Sequence, residues 1–231
     1  MGAISVEHGD RLFWLGRYVE RSFTTLNAIE DHFDQALDGD PMLYQQYLEA
    51  FGVPDTYGNR DSFLTNFLFD EENPNSVAFS LQCAYDNGIV LREDISTDAL
   101  SYLQMAIDRL RHAKSATKGL LLELLSLQDV LYGFWGCLMD NVYDMEKMAL
   151  IQCGQSIERL DLYFRLHYSD EEVLPEMRRL LERLRRIPKD TPYRYNTAQL
   201  SVLVELMGET NITSHAPAAI SSLSRLFEEP L

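Results

Sequence analysis

The chain has 231 residues, with 36 acidic and 20 basic side chains and a formal net charge of −16; 46 % of its residues are hydrophobic and 11 % aromatic. A chain of this size and composition is an ordered globular protein that buries about 70 % of its unfolded surface, so its core needs no metal or disulfide. The acidity argues against nucleic acid and anionic membrane as partners, and three cysteines without a CxxC pair argue against structural zinc and a disulfide framework, fitting a reducing cytoplasm.

Glu7 and Asp10 precede the first apolar run and there is no basic leader, so no signal peptide is expected. Apolar or small residues at Leu12, Leu15, Val19, Ser22, Leu26, Ile29, Phe33 and Ala36 hold one helical register and predict a first helix over about 7–37, ended by Gly39-Asp40-Pro41. A short helix over about 41–51, with Pro41 at its first position, precedes a loop over 53–59. Phe63 and Phe67 mark a short helix over 61–69. Pro74 then holds Asn73 extended, and Asn75 or Ser76 caps a helix carrying Val77, Leu81, Ala84 and Tyr85 as far as Arg92.

Ser96-Thr97-Asp98 is a further cap signal, opening a helix to about Lys114 with Leu100, Leu103, Ile107 and Leu110 inward. Residues 119–140 and 141–167 form two helices, or one kinked near Gly133-Phe134-Trp135-Gly136. The most apolar stretch, Gly119 to Met139, contains Glu123, Gln128 and Asp129 and is expected as a buried bundle helix rather than a membrane span. An amphipathic helix over 170–187 is stopped by Pro188 and Pro192, and 197–207 and 219–227 complete the series. No alternating strand pair occurs. The fold class expected is all-α, a multi-helix bundle formed as one domain over 1–231, with 170–231 its more divergent carboxy-terminal part.

Two stretches repeat. Gly16-Arg17-Tyr18-Val19-Glu20-Arg21 is matched 138 residues later by Gly154-Gln155-Ser156-Ile157-Glu158-Arg159, and Leu150, Cys153, Ile157, Leu160 and Phe164 repeat the apolar register around the first copy. The repetition raises an internal pseudo-two-fold arrangement, through duplication or through convergence on one kind of packed helix. Arg17 and Glu20 share a helix face, while Arg21 and Arg159 lie about 100° round from their glutamates. Either these groups form salt bridges that fix the register of neighbouring helices, or the two helices aim guanidinium forks into a shared cleft suited to a carboxylate or phosphate.

Asn73, Asn75, Ser76, Asp86, Asn87, Arg92 and Glu93 form a second polar cluster, read as turn and cap chemistry or as a pocket facing Glu20 and Arg21. None of the histidines at 8, 32, 112, 167 and 215 follows a glutamate by three residues, so a di-metal carboxylate bundle is not indicated. No glycine-rich phosphate loop and no G-x-S-x-G elbow occurs, and no cofactor or metal is expected. Cys153 falls in the apolar register and reads as core. Arg178, Arg179, Arg183, Arg185 and Arg186 read as a solvated face alternating with Glu176 and Glu182, with an acidic partner or a second copy as the competing account.

Leu12-Phe13-Trp14-Leu15-Gly16-Arg17-Tyr18-Val19-Glu20-Arg21 resembles the opening signature of the bacterial alpha-E domain family. Asn73-Pro74-Asn75-Ser76-Val77 resembles that family's internal Asn-Pro-x-Ser-Ile segment, Arg92-Glu93 its following Arg-Glu, and Ser156-Ile157-Glu158-Arg159 its later Glu-Arg segment. The likeness spans about 7–167. The chain departs where the family shows Ala-Arg-Glu-Asn-Ala-Arg, reading Ala84-Tyr85-Asp86-Asn87-Gly88-Ile89 instead. The resemblance implies a helical fold and association with ATP-grasp or transglutaminase-like proteins in peptide or amide-bond modification. On these grounds the chain is a noncatalytic module binding such a partner or a peptide, an amide ligase or transferase component with a polar pocket, or a purely structural bundle. The pocket would draw on Arg17, Glu20, Arg21, Asn73, Asn75, Ser76, Asn87, Arg92, Glu93, Glu158 and Arg159. Oligomeric state stays open.

Overall fold

Local capping chemistry and apolar spacing place the helices. The computed structural model describes residues 4–38, 43–115, 119–187 and 194–227; side chains over 31–43 lie outside that description, as do the expected stops at Gly39-Asp40-Pro41 and at Pro188 and Pro192. The described residues contain no strand. They form α1 (Val6–Asp38), α2 (Leu43–Ala50), α3 (Arg60–Phe67), α4 (Val77–Val90), α5 (Arg92–Ile95), α6 (Thr97–Ser115), α7 (Leu120–Asn141), α8 (Met145–Arg165), α9 (Asp170–Leu184), α10 (Thr197–Leu206) and α11 (Ala216–Ser224), with a 3₁₀ turn at Ile212–His215.

Asn59, Ser76, Asp144 and Asn196 each accept a hydrogen bond from a backbone N–H in the first turn of α3, α4, α8 and α10. Ser169 and Glu172 close a capping box on α9. Ser96 accepts from the Ala99 N–H at 3.2 Å, as its cap signal predicts. Of the two arrangements expected over 119–167, the structure has the two separate helices: α7 runs unkinked through Gly133 and Gly136 and ends at Asn141, and Asp144 starts α8. The helix expected to reach Arg92 instead stops at Val90, and Arg92–Ile95 makes a short turn of its own.

Two compact units divide the chain, the cuts falling between Arg17 and Tyr18 inside α1 and between Tyr143 and Asp144. The first unit joins the start of α1 to everything from Asp144 onward. Its centre is α8, which packs on α9 and α11 and buries Leu150, Cys153, Ile157, Leu160 and Phe164, the residues of the repeated register. The second unit, Tyr18–Tyr143, is built on α6 between α4 and α7. Leu103, Ile107 and Leu110 of α6 are buried as the spacing predicts, while Leu100 is only half-buried and Ala99, Ala106 and Ala113 fill the inward face. The Phe63 and Phe67 rings stack at 4.8 Å and Tyr47 meets Phe67 edge-on at 5.7 Å, joining α2 to α3 through apolar area and ring geometry.

Candidate functional site

The first unit explains why glycine stands at both repeated positions. A Cβ on Gly16 would overlap the carbonyl oxygen of Ile151, and a Cβ on Gly154 would overlap that of Phe13. Helices α1 and α8 therefore cross with their backbones closer than any side chain permits. The contacts are reciprocal, since each glycine touches the residue three before the other. Beside the crossing, Arg17 Nε donates to Glu158 Oε2 at 2.7 Å, and the guanidinium lies 4.7 Å from the centre of the Trp14 ring. Glu158 is buried and Arg17 nearly so, which makes this a charge-assisted bond with a cation–π face behind it.

Arg159, the next residue, turns to the other side of α8. Its Nη1 donates to Glu176 Oε2 at 3.4 Å, and Arg179 Nη1 donates to the same oxygen at 3.0 Å. Ser156 Oγ donates to Glu176 Oε1 at 2.5 Å and accepts from Arg183 Nη1. Arg183 also reaches the Gln152 carbonyl at 2.8 Å and Gln155 Oε1 at 3.1 Å. Glu176, only 1 % exposed, thus sits among three guanidinium groups and a hydroxyl. Burial pushes its carboxyl up, but the Ser156 bond and the Arg159 and Arg183 charges outweigh that, holding it below its ordinary value of 4.5. Such a group is an anion at neutral pH and has no proton to give.

A neighbouring pair of charges about 100° apart on α8 can serve two partners at once: Glu158 answers α1 and Arg159 answers α9. In the first copy Arg17 stands where the second has Gln155, and Gln155 receives its arginine from α9. The arginine run on α9 is accordingly not one solvated face. Arg178, Arg179, Arg185, Arg186 and Glu182 are exposed, but Glu176 is buried and Arg183 lies mostly covered against α8. The signal was present in the spacing, because Val173, Met177, Leu180 and Leu184 set an inward face on which position 176 also falls. Cys153 is core as expected, and burial drives its thiol up to about 12, with Arg183 and Arg186 pulling back only in part.

In the second unit, Arg21 Nη1 donates to the Pro74 carbonyl at 3.3 Å and its guanidinium lies 5.8 Å from the Tyr18 ring. This brings Arg21 to the turn that carries Asn73, Asn75 and Ser76. Asn73 Oδ1 accepts from the Asn75 N–H at 3.0 Å and the Asn73 side chain also hydrogen-bonds Tyr57, while Ser76 Oγ accepts from the Phe79 N–H and donates to the Asp70 carbonyl. Tyr18 also hydrogen-bonds Cys83, whose thiol burial nevertheless pushes up. Glu20 is fully buried, and Asn87 is half-buried on α4. Arg92 and Glu93 pair with each other at 3.3 Å on α5, both largely exposed. Among the described residues, no three His, Cys, Asp or Glu side chains are arranged to hold a metal ion.

Residues 7–210 match the model of the Alpha-E family, described as a predicted alpha-helical domain with a conserved ER motif. No curated protein and no solved structure matches the chain.

Proposed function

Since this chain belongs to the alpha-E family, we propose that it is a noncatalytic helical docking module, serving a partner of the ATP-grasp or transglutaminase-like class in peptide or amide-bond modification. The observation that carries this reading is the engagement of the second Glu-Arg motif. Glu158 is committed to Arg17 and Arg159 to Glu176, so both charges brace helices. An amide ligase or transferase built on the motif asks for the opposite, an acid–base group open to substrate and able to change protonation. The reciprocal contact of Gly16 and Gly154 supports an internal pseudo-two-fold repeat as the origin of the two motifs. Three free cysteines support a reducing cytoplasm as the setting.

Co-expression with an ATP-grasp or transglutaminase-like protein tests the reading. The expected result is a stable complex in which the partner alone carries amide-bond turnover. Replacement Glu158→Gln lowers the unfolding free energy by roughly 3 kcal/mol, as for one partner removed from a buried pair, yet leaves complex formation intact where the variant is folded. Turnover of ATP or an amide substrate by this chain alone, abolished in a folded Glu158→Gln protein, overturns it.

A further inference from the structure

Between α6 and α7 runs an open groove of about 670 Å³, contained within the second unit. The two helices are antiparallel. Arg109 and His112 near the end of α6 face Glu123 near the start of α7, while Ser96, just before α6, lies 4.0 Å from Cys137 near the end of α7. Helical spacing sets the walls: Asp98, Tyr102 and Met105 on one side, Gly136 and Asp140 on the other.

Three features of this groove bear on what it holds. Asp98 and Asp140 have no salt-bridge partner among the described residues. Gly136 is exposed in the middle of a helix, and a Cβ added there would meet no atom within 4 Å. A helical glycine costs about 0.5–1 kcal/mol relative to alanine, and no neighbour among the described residues requires it. Finally, the apolar surface continues beside the groove: Met105, Tyr132 and Met139 are 48, 61 and 67 % exposed. Helix α7 is long and apolar enough to cross a membrane, yet only 33 % of its most apolar window is buried.

We propose that this groove docks an amphipathic, lysine- or arginine-bearing helix of a partner protein. The cation lies between Asp98 and Asp140, its aliphatic stem rests on Tyr102 and Met105, and the partner backbone passes close over Gly136. Methionines suit such a surface because they repack around different apolar anchors. Charge decides the class of occupant. A second copy at −16 and an anionic membrane are both repelled, whereas two unanswered carboxylates attract a basic segment and steer its approach. The inference rests on the docking-module reading and assigns that module its contact face.

A fluorescent leucine–lysine amphipathic peptide, titrated by anisotropy at physiological salt, is the probe. Saturable binding is expected, weakened about tenfold or more by Gly136→Leu and by Asp98→Asn with Asp140→Asn. Glu205→Gln with Glu209→Gln removes two exposed charges from the other unit and leaves binding unchanged. Gly136→Leu also keeps the fold, since it removes a helix-breaking residue from open space; thermal unfolding checks this. Absence of saturable binding, wild-type affinity in Gly136→Leu, or an equal loss in the Glu205 and Glu209 control overturns the groove. Self-association or vesicle binding that Gly136→Leu abolishes overturns it in favour of a second copy or a membrane. Co-purification of an ATP-grasp or transglutaminase-like partner at wild-type yield with Gly136→Leu overturns the groove alone, while failure of the wild-type chain to retain any such partner overturns the module reading itself.

Discussion

Glu176 keeps its charge at 1 % exposure because Ser156, Arg159, Arg179 and Arg183 supply donors to both of its oxygens. Those donors do not count equally. Arg179 is 59 % exposed, and its loss should cost at most about 1 kcal/mol, as for other solvent-screened pairs. Glu176→Ala leaves Arg159 and Arg183 against one another and should cost roughly 3–5 kcal/mol in urea unfolding near neutral pH. The sign with pH follows from the lowered carboxyl. A group titrating lower in the folded than in the unfolded chain stabilises fully above its ordinary value of 4.5, and that contribution disappears as pH falls through the folded value. The gap between wild type and Glu176→Gln should therefore close on acidification; a gap unchanged at about pH 3 would show that the carboxylate charge is not what stabilises. The sequence made Glu158 and Arg159 candidates for register-fixing salt bridges, but it could not name their partners. Glu176 was hidden by its company: among arginines it reads as a solvated face, and only the spacing of Val173, Met177, Leu180 and Leu184 places it inward.

Helices were legible to the extent that their signals are local. Both apolar registers are buried where side chains are described, and the cap at Ser76 is where turn chemistry places it. The two helices over 119–167 were legible, but glycines at 133 and 136 mimic a kink and left a single bent helix open as the alternative; the deciding cue was Asp144, which accepts from the Glu146 and Lys147 N–H groups. What glycine does inside a helix depends on what faces it, and no periodicity reports that. Gly16 and Gly154 face backbone carbonyls, whereas Gly136 faces open space. Intrinsic propensity gains about 0.5–1 kcal/mol for alanine at each. Gly136→Ala should realise that gain. Gly16→Ala and Gly154→Ala should instead lose about 1–3 kcal/mol, because backbone on both sides of the crossing has to move apart. Thermal unfolding of the three single variants checks the sign, and stabilisation by Gly16→Ala would refute the close crossing.

At the scale of the molecule, family membership runs through residue 210 and so takes in α9, whose Glu176 and Arg183 complete the bracing around the second Glu-Arg motif. Most of the excess negative charge lies elsewhere, and a net −16 works against compaction by self-repulsion. Added salt has two opposed effects. It screens this repulsion, and it weakens exposed pairs such as Arg11–Glu7, Arg92–Glu93 and Arg111–Asp108. Those pairs contribute only about 0–1 kcal/mol each at best, and the buried bonds of Glu158 and Glu176 are little screened. The repulsive term should therefore win. Raising sodium chloride from about 10 to 150 mM shortens the Debye length from about 30 to 8 Å, which removes most interactions between distant carboxylates while leaving the covered pairs in place. If the gain is about 1 kcal/mol, the unfolding midpoint of a chain this long rises by about 2–4 °C. A midpoint that falls over that range would mean that the exposed ion pairs contribute more to stability than the repulsion among carboxylates removes.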